Sequence, residues 1–263
     1  MTFDDYQRLK FERRERVLWV TIDAGPMNAV DFGLHEELAK VFYDVQTDEG
    51  SDLIVLTGAG RAFCAGGDMG WFQEMIDDPA KFRSITVDAK RIVNGLLEME
   101  KPIVCRLNGA AAGLGASIAL LCDVIIADER AKIGDPHVKV GLVAGDGGAV
   151  IWPQLIGFAR AKEMLLTGDM LHASDAAAMG LINYAVPASE LDAKINEMVN
   201  KILNNPRWAV RWTKTSVNLV LRDIANKVMD AAIAYEISSN STHDRQEAVS
   251  AFVDKRTPNF TGK

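Results

Sequence analysis

Four short apolar runs limit this chain to a narrow set of folds. They are VLWVTID (Val17 to Asp23), LIVLTG (Leu53 to Gly58), PIVCRLNG (Pro102 to Gly109) and DVIIAD (Asp123 to Asp128). Their β-branched and aromatic residues run together, as in strands covered on both faces. Between them the apolar spacing turns helical. Leu34, Leu38, Val41, Phe42 and Val45 fall on one helical face, and Ile85, Ala89, Ile92, Val93 and Leu96 on another, in a helix from about Pro79 to Glu100 that Pro102 stops. Strands alternating with helices in this way specify an α/β chain with a parallel sheet.

Beyond Gly145 the pattern changes. GGAVIWPQLIG, ARAKEMLLTG, SDAAAMGLI and three longer stretches between Glu190 and Lys255 read as nearly all helical, and only NYAVP reads as extended. Two parts are therefore expected, a core over residues 1–195 and a helical C-terminal region over 196–263. Strand-strand-helix units recur along the core, although no strict repeat is visible in the letters.

At 263 residues, 48% of them hydrophobic and 25% charged, the chain can bury one generous core. No apolar run approaches the roughly 20 residues of a membrane span, so no membrane partner is expected. The first twenty residues are charged throughout and lack a secretory core. Cys64, Cys105 and Cys122 are widely spaced and odd in number, which points to free thiols in a reducing cytoplasm and to no metal site. A net charge of -7 argues against a nucleic-acid partner.

Two small-residue segments could carry chemistry. GAGRAFCAGGDM (Gly58 to Met69) joins a strand to a helical stretch, and its glycines let the backbone approach a ligand. It is neither a phosphate-binding P-loop nor a dinucleotide fingerprint, because G-K-[S/T] and G-x-G-x-x-G are both missing. In the second segment, KPIVCRLNGAAAGLGASIALLCD, small side chains lead from a strand into a helix near Gly113. Read alone, each segment fits a tight turn or close helix packing as well as a ligand loop.

Together they resemble the enoyl-CoA hydratase/isomerase family, the crotonase superfamily, over nearly the whole chain. RAFCAGGDM is similar to the F-x-A-G-x-D segment of that family, and the run from Lys101 to Pro136 is similar to its K-P-x-I-A-x-x-N-G … G-G-G … D-x-x-x-A segment. LLTGDMLHASDAAAMGLINYAVP and AFVDKRTPNF are similar to later signatures. The resemblance implies a spiral of repeated ββα units with a C-terminal helical region that forms a homotrimer, often a dimer of trimers. It implies an acyl-CoA thioester as substrate, with coenzyme A as part of that substrate and no separate cofactor.

By motif position the backbone N–H groups of Gly67 and Leu114 would form an oxyanion hole. Leu114 stands where glycine is usual, but a backbone donor needs no particular side chain. Each such donor is worth on the order of 3 kcal/mol to a transition state. Arg61, Ala65, Asp68, Phe252 and Lys255 fall at positions implied to reach CoA.

Two positions depart from the pattern. Typical hydratases carry glutamates where this chain has Ser117 and His137. Ser117 cannot titrate usefully, and it either bonds water or substrate or simply packs. His137 can both accept and donate a proton near neutrality. Asp146 either supports His137, faces substrate, or caps the helix beginning at GGAVIWP. His137, Asp146 and Ser117 are the candidate catalytic residues.

The resemblance points first to hydration or isomerisation of a 2-enoyl-CoA. The P-H…G-D-G…W-P arrangement is also similar to the branch that hydrolyses carbon–carbon bonds of β-diketones. A non-catalytic acyl-CoA-binding protein is the third reading. The RNA-binding behaviour of some relatives is disfavoured, because DFGLHEELAKVFYDVQTDEG has Lys40 as its only basic residue besides histidine.

Overall fold

The computed structural model describes residues 3–263. Its frame is a six-stranded sheet made of β1 (Leu9–Arg14), β2 (Val17–Ile22), β3 (Leu53–Gly58), β5 (Ile103–Leu107), β7 (Val124–Asp128) and β10 (Tyr184–Val186), adjacent in that order. All its neighbours pair in parallel except β1 and β2. A second sheet holds β4 (Ala62–Cys64), β6 (Ala110–Ala112), β8 (Lys132–Gly134) and β9 (Met170–His172), with only the last pair antiparallel.

The pairs β3/β4, β5/β6 and β7/β8 each give one strand to each sheet, and helices come after them. This is the ββα spiral expected from the resemblance. The chain enters the second sheet straight after the glycine-bearing turns that follow β3 and β5, and β4 and β6 pair side by side.

Both faces of the large sheet are dry, as the uninterrupted apolar runs require. Leu18, Val20, Ile54, Leu56 and Ile103 pack toward α1 (Phe32–Thr47) and α3 (Pro79–Glu98), while Val17, Trp19, Leu53, Val55 and Val104 face the other way. The second face is closed by Leu191, Ile195 and Val199 of α7 (Leu191–Leu203). Burying three such side chains contributes about 1.5–3 kcal/mol each. The boundary expected at residues 195/196 falls inside this helix, which belongs with the sheet it covers. The long helix α8 (Arg207–Asn240) and α9 (His243–Asp254) complete the chain.

Several elements were hidden in the letters. β1 lies in the charged opening segment, where Lys10, Glu12, Arg13 and Arg14 decorate a sheet edge. β9 lies in the short gap between two stretches expected to be helical, and its three residues are extended because they pair with β8. The predicted helix at GGAVIWP and the one after it form α5 (Gly148–Thr167), broken at Gly157, whose φ of 76° no helix allows. The remaining helices are α2 (Met69–Asp77), α4 (Leu114–Leu120) and α6 (Ala173–Ala178). No helix among the described residues is long and apolar enough to cross a membrane.

Candidate active site

The strand-to-helix turns after β4 and β6 supply the backbone wall of a cavity. After β4 the chain passes Gly66, at φ 82°, and pairs with Val30: the Val30 N–H donates to Gly66 O at 2.8 Å and the Asp68 N–H donates to Val30 O at 2.9 Å. The intervening N–H, that of Gly67, is not used in this pairing. A Cβ on Gly67 would lie 2.3 Å from the Phe72 ring, so only glycine fits there. After β6, Gly113 adopts φ 53° and Leu114 opens α4. An N–H in the first turn of a helix has no carbonyl one turn back. Gly67 and Leu114 line the same cavity, whose interior space is about 50 Å³ and which is partly open to solvent.

The opposite wall is titratable. A 3-10 helix spans Pro136–Val140, with Asp135 as its cap and His137 in its first turn. The His137 ring rests on Gly113, where a Cβ would come within 3.1 Å of Cε1. Its Nδ1 contacts Asp135 Oδ1, and its Nε2 lies 3.3 Å from Asp146 Oδ2. All three side chains are buried. Burial pulls the His137 pKa down, but Asp146 and Asp135 outweigh it and hold the value well above the ordinary 6.5. The ring is therefore an imidazolium at neutral pH.

The capping alternative for Asp146 does not survive. The cap of α5 is Gly147, which makes no side-chain cap bond, and Asp146 turns into the cavity with Oδ1 buried and without a hydrogen-bond partner. Glu236, from the C-terminal part of α8, lines the same cavity. A Cβ on Gly145 would lie 2.5 Å from its Oε2, which places the carboxyl against the chain that carries Asp146. Burial first, and then the charge of Asp146, raise Glu236 to about 8, with His137 opposing. Glu236 is therefore a neutral acid at pH 7. His35 of α1 also lines the cavity, against Trp71 at 5.5 Å between ring centroids, and burial lowers its pKa.

Ser117 is placed elsewhere. It is fully buried in α4 beneath Gly147, its Oγ has no hydrogen-bond partner, and it does not line the cavity. A Cβ on Gly147 would come within 3.3 Å of that Oγ, which places the hydroxyl against the Gly147 backbone. Asp68 is also occupied: it caps α2, accepting from the N–H groups of Gly70 at 2.8 Å and Trp71 at 3.1 Å. Arg61 is exposed, with Nε 3.2 Å from Met27 Sδ, and the Ala65 N–H donates to Met27 O at 3.1 Å. Phe252 is exposed in α9, and Lys255 ends that helix in the left-handed region. These four lie outside the cavity lining.

Two members of the site were missed from the sequence. Asp135 was signalled only by its place two residues before His137, the spacing of a cap. Glu236 carried no local signal at all, since a single glutamate in a long helix reads as a solvated face. Asp135, His137 and Asp146 also form a compact donor group, with ligand atoms within 4.8 Å of one another. Asp135 lies at Nδ1 of the ring and Asp146 at Nε2.

A model of the family described as enoyl-CoA hydratase/isomerase matches residues 12–263. The chain belongs to that family, within the crotonase superfamily. It is 31% identical over 261 residues to a crotonyl-CoA hydratase of Syntrophomonas wolfei, covering 98% of this chain and 99% of that relative. Among solved structures, an enoyl-CoA hydratase/isomerase from Mycobacterium paratuberculosis aligns with a TM-score of 0.88 at 34% identity, covering 92% of this chain and 97% of the other. A β-diketone hydrolase from Anabaena sp. PCC 7120, solved with (S)-3-oxocyclohexyl acetic acid, aligns with a TM-score of 0.84 at 27% identity, covering 91% and 96%. This family membership makes the chain an enzyme of the enoyl-CoA hydratase/isomerase type.

Proposed function

We propose that this family member hydrolyses a carbon–carbon bond of a 1,3-dicarbonyl compound carried as an acyl-CoA thioester. The observation that carries the reading is the pairing of His137 with Asp146 on the same wall as Glu236, at a site with no glutamate at positions 117 and 137. Hydration of a 2-enoyl thioester involves one carbonyl. Hydrolysis of a 1,3-dicarbonyl needs donors at two, and this cavity offers two sets: the N–H groups of Gly67 and Leu114 on one wall, and the His137 imidazolium with the neutral Glu236 on the other. A β-diketone hydrolase among the structural neighbours supports this reaction class.

In this reading water attacks one carbonyl carbon while the Asp146 carboxylate, held beside the His137 imidazolium, takes its proton. The carbon–oxygen bond forms, and the tetrahedral intermediate collapses by breaking the bond to the central carbon. The electron pair moves onto the second carbonyl as an enolate, whose oxygen is held by Gly67 and Leu114. Glu236 then protonates the enolate carbon, giving a carboxylic acid and a ketone or thioester. Arg61, Ala65, Phe252 and Lys255 are proposed to meet the CoA portion, and the exposed helical C-terminal region is proposed to assemble the homotrimer.

The curated relatives favour a second reading, hydration of a 2-enoyl-CoA with the same acid and base. Parallel panels of 2-enoyl-CoA and 1,3-dicarbonyl thioesters, with products weighed by mass spectrometry, separate the two. Two fragments support hydrolysis. A single product heavier by one water, from the enoyl panel alone, rejects it.

A further inference from the structure

Asp135 is 1% exposed and has only two kinds of neighbour. Its Oδ1 accepts the backbone N–H of His137 at 3.4 Å and contacts the ring Nδ1. Its Oδ2 makes no hydrogen bond and lies against Gly148, the first residue of α5, where a Cβ would come within 2.1 Å. A buried carboxylate with one oxygen unpaired is costly. The imidazolium on one side and the positive N-terminal end of α5, whose first segment runs to the break at Gly157, on the other offset that cost. A surface-facing cap would need neither.

We propose that Asp135 is a positioning residue that fixes the ring of His137 with Nε2 toward Asp146 and the cavity, and that Gly148 is the glycine that makes room for it. The proposal rests on His137 being part of the reacting group. A histidine's partner at one ring nitrogen decides what the other nitrogen presents. Here the ring is seated on Gly113, so a flip about its axis would bring carbon atoms to both carboxylates and leave each without its donor.

The charged groups around His137 come from four places. Asp135 is on its own turn, Asp146 is on the loop before α5, Glu236 is on α8, and Arg245 of α9 donates through Nη1 to Val140 O at 2.5 Å. Of these, Asp135 and Asp146 touch the ring, and only Asp146 and Glu236 face the substrate space.

The test uses the full-length protein labelled with ¹⁵N-histidine, comparing wild type with Asp135→Asn, Asp135→Glu and Gly148→Ala. The wild-type His137 signals should be those of an imidazolium well above pH 6.5. In Asp135→Asn the midpoint should fall by about one unit or more, and kcat should drop roughly 100-fold with KM nearly unchanged. Gly148→Ala should move both in the same direction without altering Asp135, because its Cβ displaces the carboxylate. Asp135→Glu should recover part of the charge effect. The proposal is overturned if Asp135→Asn folds normally with the His137 midpoint and kcat unmoved. Should Asp135→Asn fail to fold, an unmoved midpoint in Gly148→Ala overturns it equally. A shifted midpoint in a protein that cleaves no dicarbonyl upholds the positioning role and removes the proposed reaction instead.

Discussion

The wall formed by Gly67 and Leu114 and the wall formed by His137, Asp146 and Glu236 enclose one cavity by different means. The first is backbone, held by left-handed turns at Gly66 and Gly113 and by the space that Gly67 leaves for the Phe72 ring. The second is made of side chains drawn from a 3-10 helix, a loop and a distant helix, and its chemistry depends on what their neighbours do to their protons. A backbone donor keeps its function whatever the reaction, which is how a family can share it. The titratable wall decides where a proton goes.

Substitutions can break the contrast from either side. Asp146→Asn is expected to have the largest effect, a loss of kcat of roughly 10⁴-fold with the fold intact, since it removes the carboxylate beside Nε2. Steady-state rates with a 1,3-dicarbonyl thioester, alongside circular dichroism, measure it. If Asp146→Asn keeps wild-type rates, the titratable wall has been misread. Gly67→Ala comes next, at roughly 10²–10³-fold, because its Cβ meets Phe72 and displaces the donor. Its signature is loss in every substrate class tested, which a defect confined to the titratable wall would not give.

Glu236 offers a pH test with a definite sign. Raised to about 8, it is protonated below that pH and able to donate; activity should fall as pH rises through about 8. Glu236→Gln should lower kcat by about 10²-fold and abolish that limb of the profile. An unchanged limb in this variant would assign the alkaline loss to another group. The smallest effect belongs to Ser117→Ala. Removing a buried hydroxyl without a partner should leave kcat within about twofold and change stability by no more than about 1 kcal/mol. A large loss of kcat would return Ser117 to the machinery.

Legibility in the sequence divides along the same line. The strands at Val17, Leu53, Ile103 and Val124 announce themselves because both faces are buried, and α3 because its apolar period is sustained along the helix until Pro102. The glycine turns are legible because few other residues adopt positive φ. β4, β6, β8 and β9 are not: three-residue strands exist only through their neighbours, so local propensity cannot reveal them. His137 could be singled out as one of four histidines and Asp146 as a carboxylate between glycines, yet the role of Asp146 needed the loop's geometry to separate pairing from capping. Glu236 lies 90 positions further on. Its proton is held by burial and by Asp146, which the local sequence does not contain.

The most direct test of the central claim is single-turnover reaction of a 1,3-dicarbonyl thioester in H₂¹⁸O with wild type and Asp146→Asn. The wild type should give two fragments, with one new ¹⁸O confined to the carboxylic acid, and Asp146→Asn should give neither at a comparable rate. A single uncleaved product, or equal cleavage by both proteins, would contradict a hydrolytic site built on His137 and Asp146.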